Sequence, residues 1–203
     1  MTAGLWLAEA PLLLASGSKI RRALLSAAGI PVEMRPAELD ERALESGAPP
    51  GASAVALFLA RAKACAVAKL GPGRLTLGAD QTLALASARF SKPADRAAAQ
   101  AQLRELRGRT HELHSAVALV QDGTVLFEHV GVARLTMRPC SDRFIDLYLD
   151  AAGSAASASV GAYQLEGLGV QLFERIDGDY FTILGLPLLE TLEFLRRHGS
   201  LVQ

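Results

Sequence analysis

Cationic and acidic residues occur at five places in the first half of this 203-residue chain, several of them beside glycines and turns. In chain order these are Ser16-Gly17-Ser18 with Arg21-Arg22, Asp40-Glu41, Lys63, Gly78-Ala79-Asp80-Gln81 and Lys92-Pro93. The cations could bind phosphate oxygens, and the carboxylates could bind the metal ion that accompanies a polyphosphate. Together these residue types indicate hydrolysis of a nucleotide.

The first place is a turn that precedes a predicted helix. Free backbone N–H groups after Ser16 and Ser18, together with the helix dipole, would attract an anion that Arg21 and Arg22 could also bind. An ordinary N-cap followed by a solvated basic helix face would have the same sequence. Both interpretations remain open on these residues alone.

The acidic residues also have two interpretations. Asp80 follows a predicted strand, and ligands of α/β folds bind outside the carboxyl ends of strands, where this carboxylate could hold Mg²⁺ or accept a proton from water. A turn aspartate that caps its own backbone is the alternative. Asp40-Glu41 could supply a second carboxylate or form an exposed acidic bend. Mg²⁺ commonly uses only one or two protein carboxylates, so this number is sufficient.

The two lysines are each ambiguous in the same way. Lys63 lies in the middle of a largely apolar predicted helix, where its ammonium group either extends to solvent or meets an anion. Lys92 precedes Pro93 at the expected start of another helix, an unfavourable place for a cation unless a phosphate is bound there. A solvated loop lysine is the alternative for Lys92.

Apolar periodicity predicts the elements that carry these residues. Strands are expected at residues 12–15, 32–34, 75–79, 111–120 and 124–137, and helices at 20–28, 53–70, 95–107, 141–148 and 187–198. One hairpin is expected at residues 121–123. A second is expected at Asp177-Gly178, between the segments 170–174 and 180–184. The composition of residues 151–159 predicts a mobile loop. Two hairpins exclude a purely parallel sheet, so we expect an α/β fold with a mixed twisted sheet and flanking helices.

Composition excludes several classes of protein. The 21 Lys and Arg residues balance 21 Asp and Glu residues, which argues against a nucleic-acid or anionic-membrane partner. Residues 5–10 are too short and too acidic for a signal peptide, and no apolar run approaches a membrane span, so we expect a cytoplasmic protein. Cys65 and Cys140 lie too far apart for a disulfide framework or a C-x-x-C site. The two histidines of His111-Glu112-Leu113-His114 do not have metalloprotease spacing.

Eight segments of this chain occur in the order and spacing of a known family. They are Leu14-Ala15-Ser16-Gly17-Ser18 with Arg21-Arg22-Ala23-Leu24-Leu25, Leu39-Asp40-Glu41, Ala62-Lys63-Ala64, Gly78-Ala79-Asp80-Gln81, Lys92-Pro93, Gly161-Ala162-Tyr163, Glu166-Gly167-Leu168-Gly169 and Gly185-Leu186-Pro187-Leu188. From about residue 12 to residue 199, the chain resembles the Maf family of nucleoside triphosphate pyrophosphatases.

The resemblance implies a single Maf-like domain over residues 1–203, with two lobes around a deep cleft and a fold related to the inosine triphosphatases. It implies cleavage of the α–β phosphoanhydride to a nucleoside monophosphate and pyrophosphate. The cofactor would be a divalent metal, Mg²⁺ or alternatively Mn²⁺ or Co²⁺, and a homodimer is possible. Asp80 would be the proton acceptor and a metal ligand, and Glu41 would be the second carboxylate that binds the metal. Lys63 and Lys92 would act in catalysis. The substrate would be bound by Ser16, Arg21 and Arg22.

Three positions, Ile20, Gln81 and Glu166, resemble those that distinguish substrates within the family. The branch that acts on dTTP and UTP carries Arg, Thr and Gln there, and the branch that acts on 7-methyl-GTP carries Trp, Gln and Glu. Two of three positions favour 7-methyl-GTP, although Ile20 cannot stack on a cationic base. A non-catalytic nucleotide-binding regulator of cell division or septum formation is the alternative function.

Overall fold

The computed structural model describes residues 4–203. Strands and helices are interspersed along the chain. In chain order they are β1 Leu12–Ala15, α1 Lys19–Ala27, β2 Val32–Met34, α2 Glu41–Glu45, α3 Ala52–Ala68, β3 Thr76–Leu85, β4 Ala88–Phe90, α4 Arg96–Leu106, β5 Thr110–Gln121, β6 Thr124–Met137, α5 Asp142–Ala152, α6 Ala155–Ala158, β7 Phe173–Asp177, α7 Tyr180–Ile183 and α8 Leu188–Arg197. Two short 3₁₀ segments, Val160–Ala162 and Leu168–Leu172, lie between α6 and β7.

The strands form one mixed sheet in the order β2-β1-β3-β5-β6-β7, with β4 paired to β3. β1 runs parallel to β2 and to β3, whereas β4 is antiparallel to β3 and β7 is antiparallel to β6. Asp122 and Gly123 connect β5 to β6 with φ angles of 48° and 79°, as a two-residue type I′ turn requires. The predicted mixed α/β fold and its first hairpin are therefore confirmed.

The chain divides into two compact units. The first contains residues up to Gln81, Ser115–Gly131 and the residues from Gly185 onward; the second contains Thr82–His114 and Val132–Leu184. In the first unit, β1 is fully buried along its length, as expected for a parallel strand covered on both faces. Alanines of α3 pack there against Ala116 and Ala118 of β5. The second unit has its own core of α4, α5 and sheet side chains, including Leu103 and Leu135.

The second predicted hairpin is wrong. β7 ends at Asp177, and Tyr180 begins a helical turn instead of a returning strand. Asp179 caps this turn, since its carboxylate accepts a hydrogen bond of 3.0 Å from the backbone N–H of Thr182. The antiparallel partner of β7 is β6, which is distant in sequence.

Three helix boundaries also differ from the prediction. The expected mobile loop at 151–159 is partly helical, since α5 continues to Ala152 and α6 follows, consistent with the high helix propensity of alanine. The helix predicted at residues 53–70 is α3, which begins at Ala52 after its N-cap Gly51 and ends at Ala68. Lys92 does not begin a helix, because α4 begins at Arg96 after its N-cap Asp95.

Among residues 4–203, no helix is long and apolar enough to cross a membrane. Both cysteines are free thiols, and Cys140 is buried whereas Cys65 is half-buried. Strand β3 continues through Asp80 to Leu85, whereas the predicted strand ended at Ala79. Asp80 thus lies within a strand and does not terminate it.

Candidate active site

The loop between β1 and α1 places Ser16 and Arg21 next to each other. The hydroxyl of Ser18, the N-cap of α1, accepts a hydrogen bond of 3.4 Å from the backbone N–H of Arg21. The backbone N–H of Ser18 in turn donates to Oγ of Ser16 at 3.2 Å. The two serines therefore act in the structure of the loop, and Ser16 is buried at the end of β1.

Arg21 makes three hydrogen bonds that hold its guanidinium group in one place. Its Nε donates to the carbonyl oxygen of Gly185 at 2.7 Å, and one terminal nitrogen donates to Oγ of Ser16 at 3.1 Å and to the carbonyl oxygen of Ala79 at 2.9 Å. Burial lowers the pKa of Arg21, and the negative charges of Asp80 and Glu41 oppose that shift. The guanidinium group is therefore a fixed positive charge against the carbonyl group of Ala79, the residue directly before Asp80.

Helix α3 packs unusually closely on β3 at Gly78. A Cβ atom at Gly78 would lie 2.1 Å from the carbonyl oxygen of Ala60 and 2.6 Å from the backbone nitrogen of Ala64. Only glycine therefore permits this approach. Because Lys63 lies between these two alanines in sequence, the contact holds its backbone close to the part of β3 that carries Asp80, two residues after Gly78.

Lys63 contacts both candidate metal-binding carboxylates. Its Nζ lies 2.7 Å from Oδ1 of Asp80 and 2.8 Å from Oε2 of Glu41. Lys63 and Asp80 are only 8% and 7% exposed, whereas the side chain of Glu41 is 49% exposed. Of the two interpretations of Lys63, the structure supports the one in which its ammonium group meets an anion.

Asp40 and Glu41 have different roles in the structure. Oδ1 of Asp40 accepts a hydrogen bond of 3.0 Å from the backbone N–H of Ala43 and so caps the short helix α2. The next residue, Glu41, begins that helix and reaches Lys63. The cap thus positions the second carboxylate.

Three further candidate substrate-binding residues lie on α1 and β3. Nε2 of Gln81 donates to Oγ of the buried Ser115 on β5 at 2.9 Å. Ile20 is half-buried and Arg22 is exposed, and both flank Arg21 on α1. Since adjacent helix residues point about 100° apart, neither shares the direction of the Arg21 side chain. A substrate contact from Arg22 stays a prediction.

Lys92 and Glu166 belong to the second compact unit. Both side chains are exposed, Lys92 in the segment before α4 and Glu166 between the two 3₁₀ segments. Their expected positions beside a bound nucleotide stay predictions.

Within the described part of the chain, no group of three or more His, Cys, Asp or Glu residues is arranged to hold a metal ion. The pair of Asp80 and Glu41 nevertheless fits a divalent cation that takes its remaining ligands from substrate and water. One oxygen of each carboxylate lies within hydrogen-bond distance of the same ammonium nitrogen, so the two converge on a position that a cation already occupies. Carboxylate oxygens are the ligands that Mg²⁺ prefers.

Comparison with known proteins identifies the family. A family model described as Maf-like protein matches residues 11–198. The chain belongs to the Maf family. The resemblance of the eight sequence segments is thereby confirmed.

Several relatives match the Maf chain over nearly its full length. One from Rhodopseudomonas palustris, named nucleoside triphosphate pyrophosphatase, is 56% identical over 200 residues, which cover 97% of this chain and 98% of that protein. One from Mesorhizobium japonicum, named 7-methyl-GTP pyrophosphatase, is 54% identical and covers 94% of this chain and 97% of that protein. The solved structure of a HAM1 protein from Coxiella burnetii is 17% identical, with a TM-score of 0.41 over 64% of this chain and 74% of that chain.

Most of the groups that hold Arg21 and Gln81 of this Maf protein have no recognisable signal in the sequence. Ser115 lies in an apolar strand segment and had no motif around it. The carbonyl oxygens of Ala79 and Gly185 have no side-chain signature. Gly185 was part of a family segment without an assigned role, and its φ of 89° shows why glycine suits that position.

Proposed function

We propose that this protein hydrolyses nucleoside triphosphates at the α–β phosphoanhydride, releasing a nucleoside monophosphate and pyrophosphate. One observation carries the proposal: the contacts of Lys63 with Asp80 and Glu41, next to the fixed guanidinium group of Arg21. Such a group supplies both cations for phosphate oxygens and carboxylates for a metal ion and a proton. The names of the full-length relatives from Rhodopseudomonas palustris and Mesorhizobium japonicum support the same reaction class.

In the proposed reaction, Asp80 orients a water molecule and accepts one of its protons. The water oxygen forms a bond to the α-phosphorus while the bond from that phosphorus to the bridging oxygen breaks, and pyrophosphate leaves with that oxygen. Lys63 and Arg21 bind phosphate oxygens on which negative charge accumulates. Asp80 and Glu41 would hold Mg²⁺, or alternatively Mn²⁺ or Co²⁺, which would supply additional charge neutralisation. Lys92 is proposed as a further cation for the triphosphate.

We assign non-standard or methylated nucleotides such as 7-methyl-GTP as the substrate class. Gln81 and Glu166 are the residues found in the family branch that acts on 7-methyl-GTP, and the relative from Mesorhizobium japonicum carries that name. A carboxylate at position 166 would favour a base made cationic by methylation, because a charge-assisted contact is stronger than a neutral one.

The reaction is tested by pyrophosphate detection with standard, methylated and deaminated triphosphates, comparing wild type with Asp80→Asn. We expect Asp80→Asn to lower kcat by about 10²–10⁴-fold while nucleotide binding survives, as is typical for loss of a general base. Asp150→Asn removes an exposed carboxylate of the second unit and serves as the matched control. Release of orthophosphate alone, or undiminished turnover by Asp80→Asn, would overturn the proposal. Tight binding without turnover of any triphosphate would support the regulator instead.

The base assignment needs a separate variant. Glu166→Gln should lower kcat/KM for 7-methyl-GTP more than for GTP, because the amide lacks the charge that attracts the methylated base. Glu174→Gln changes another exposed glutamate in the same unit and should affect neither substrate. Equal effects of Glu166→Gln on both nucleotides would contradict the assignment.

A further inference from the structure

The Lys63 ammonium group occupies the position between Asp80 and Glu41 that a divalent cation would need. Its Nζ contacts one oxygen of each carboxylate at ordinary ion-pair distance. A divalent cation bound to the same two oxygens would lie within a few ångströms of this ammonium group, where two positive charges repel strongly. The two cations therefore exclude each other at this site.

Without a cation between them, the two ionised carboxylates would destabilise the folded protein. Asp80 is almost fully buried, and an ionised carboxylate at such a position needs a paired charge. Lys63 supplies that charge from α3, whose packing on Gly78 leaves its backbone no room to shift toward β3. The ammonium group can nevertheless leave the carboxylates by rotation of the flexible four-carbon side chain.

We propose that Lys63 is the resident counter-ion of the Asp80 and Glu41 carboxylates and that it competes with the divalent cation for them. Metal binding moves the Lys63 ammonium group away from these oxygens, and this freed cation then binds a phosphate oxygen of the substrate. The second step rests on the proposed function, whereas the first does not. The consequence is that the metal binds weakly alone and more tightly when a phosphate can accept Lys63, which is a coupling between two ligands.

The competition is tested by calorimetric titration of Mn²⁺ into nucleotide-free protein. Lys63→Met removes the charge and keeps much of the side-chain volume, so it should bind Mn²⁺ about tenfold or more tightly than wild type, equivalent to at least about 1.4 kcal/mol. Lys63→Arg keeps a positive charge and should bind Mn²⁺ within about threefold of wild type. Adding Asp80→Asn to Lys63→Met should abolish the tight site. Equal or weaker Mn²⁺ binding by Lys63→Met, including no binding by either protein, overturns the proposal.

A second measurement uses the wild-type protein and so does not depend on the folding of a variant. In protein labelled with ¹⁵N-lysine, the Nζ resonance of Lys63 is assigned by its absence from the spectrum of Lys63→Arg. This resonance should shift when the protein is saturated with Mg²⁺. Exposed Lys69 is the internal reference. An unchanged Lys63 resonance at saturating Mg²⁺ would show that the ammonium group does not move. Neither measurement contains a nucleotide, so failure of the pyrophosphate assay and failure of this proposal are separate results.

Discussion

The side chain of Arg21 and the carbonyl oxygen of Gly185 form a 2.7 Å hydrogen bond between residues 164 positions apart in the chain. The same guanidinium group binds the carbonyl oxygen of Ala79. Arg21 thus ties the segment before α8 to β3 within one compact unit. Two nitrogens of its planar group, Nε and one terminal nitrogen, make these contacts from separate positions, which the single nitrogen of a lysine cannot reproduce.

We therefore expect Arg21→Lys to lower both stability and activity. Loss of charged hydrogen bonds to buried carbonyl groups should reduce the free energy of unfolding by about 2 kcal/mol and kcat/KM by at least about tenfold. Urea unfolding and the pyrophosphate assay measure the two effects. Arg35→Lys, at an exposed ion pair with Glu33, is the control and should change each by little. An unchanged unfolding free energy in Arg21→Lys would show that the carbonyl contacts contribute nothing.

Gly78→Ala should separate α3 from β3. The new Cβ would lie 2.1 Å from the Ala60 carbonyl oxygen, so the helix must move, and we expect about 3 kcal/mol or more of destabilisation. Movement of α3 would also lengthen the contact between Lys63 and Asp80 and lower pyrophosphate release. Urea unfolding and turnover are measured for this variant and for Gly47→Ala, where the nearest atom would be 3.7 Å away and the effect should stay within about 0.5 kcal/mol. Similar stability of the two variants would contradict the close packing.

Two cations on α3 should differ greatly in their contribution to stability. Lys63→Met leaves the buried Asp80 carboxylate without its ion-pair partner and should lower the free energy of unfolding by about 3 kcal/mol. Arg61→Met removes a half-exposed ion pair with Glu128 and should cost at most about 1 kcal/mol. Urea unfolding in the presence of a chelator measures both, since a bound metal ion would replace the lost charge. Equal values would mean that burial of the Lys63 pair has no energetic consequence.

Buried His111, which contacts Tyr163, should make stability depend on pH. Nε2 of His111 lies 2.7 Å from the Tyr163 hydroxyl, and burial lowers the pKa of His111 from 6.5 to about 4. The unfolded chain therefore binds a proton in this range that the folded protein does not, so stability falls as pH decreases from about 6.5 to about 4, by about 3 kcal/mol in total.

His111→Gln should reduce that slope, because glutamine does not titrate. The free energy of unfolding is measured from pH 7 to pH 4 for wild type and for His111→Gln. Carboxylates contribute equally to both proteins, so the difference between the two slopes reports on His111 alone. His198→Gln changes an exposed histidine and should keep the wild-type slope. Identical slopes for wild type and His111→Gln would contradict the neutral state of buried His111.

The sequence predicted most elements that carry the site, because local signals determine them. The apolar run of β1, the serine turn and the spacing of α1 together predict where Arg21 lies. The partners of Arg21 could not be predicted in this way, since backbone carbonyl oxygens look alike in every sequence. The error at Asp177-Gly178 has a related cause: turn residues suit a hairpin and a helix start equally well, and only the capping contact of Asp179 distinguishes them.

The charges of Arg21, Lys63, Glu41 and Asp80 sum to zero, as do the Lys, Arg, Asp and Glu residues of the whole chain. In the metal-free protein these four side chains alone have little long-range field, so they do not attract a polyanion from a distance as a strongly basic cleft does. Encounter with substrate would then proceed at an ordinary diffusional rate that varies little with ionic strength. The site therefore discriminates between ligands only after they make contact, when ion pairs within the protein are replaced by ion pairs with the ligand.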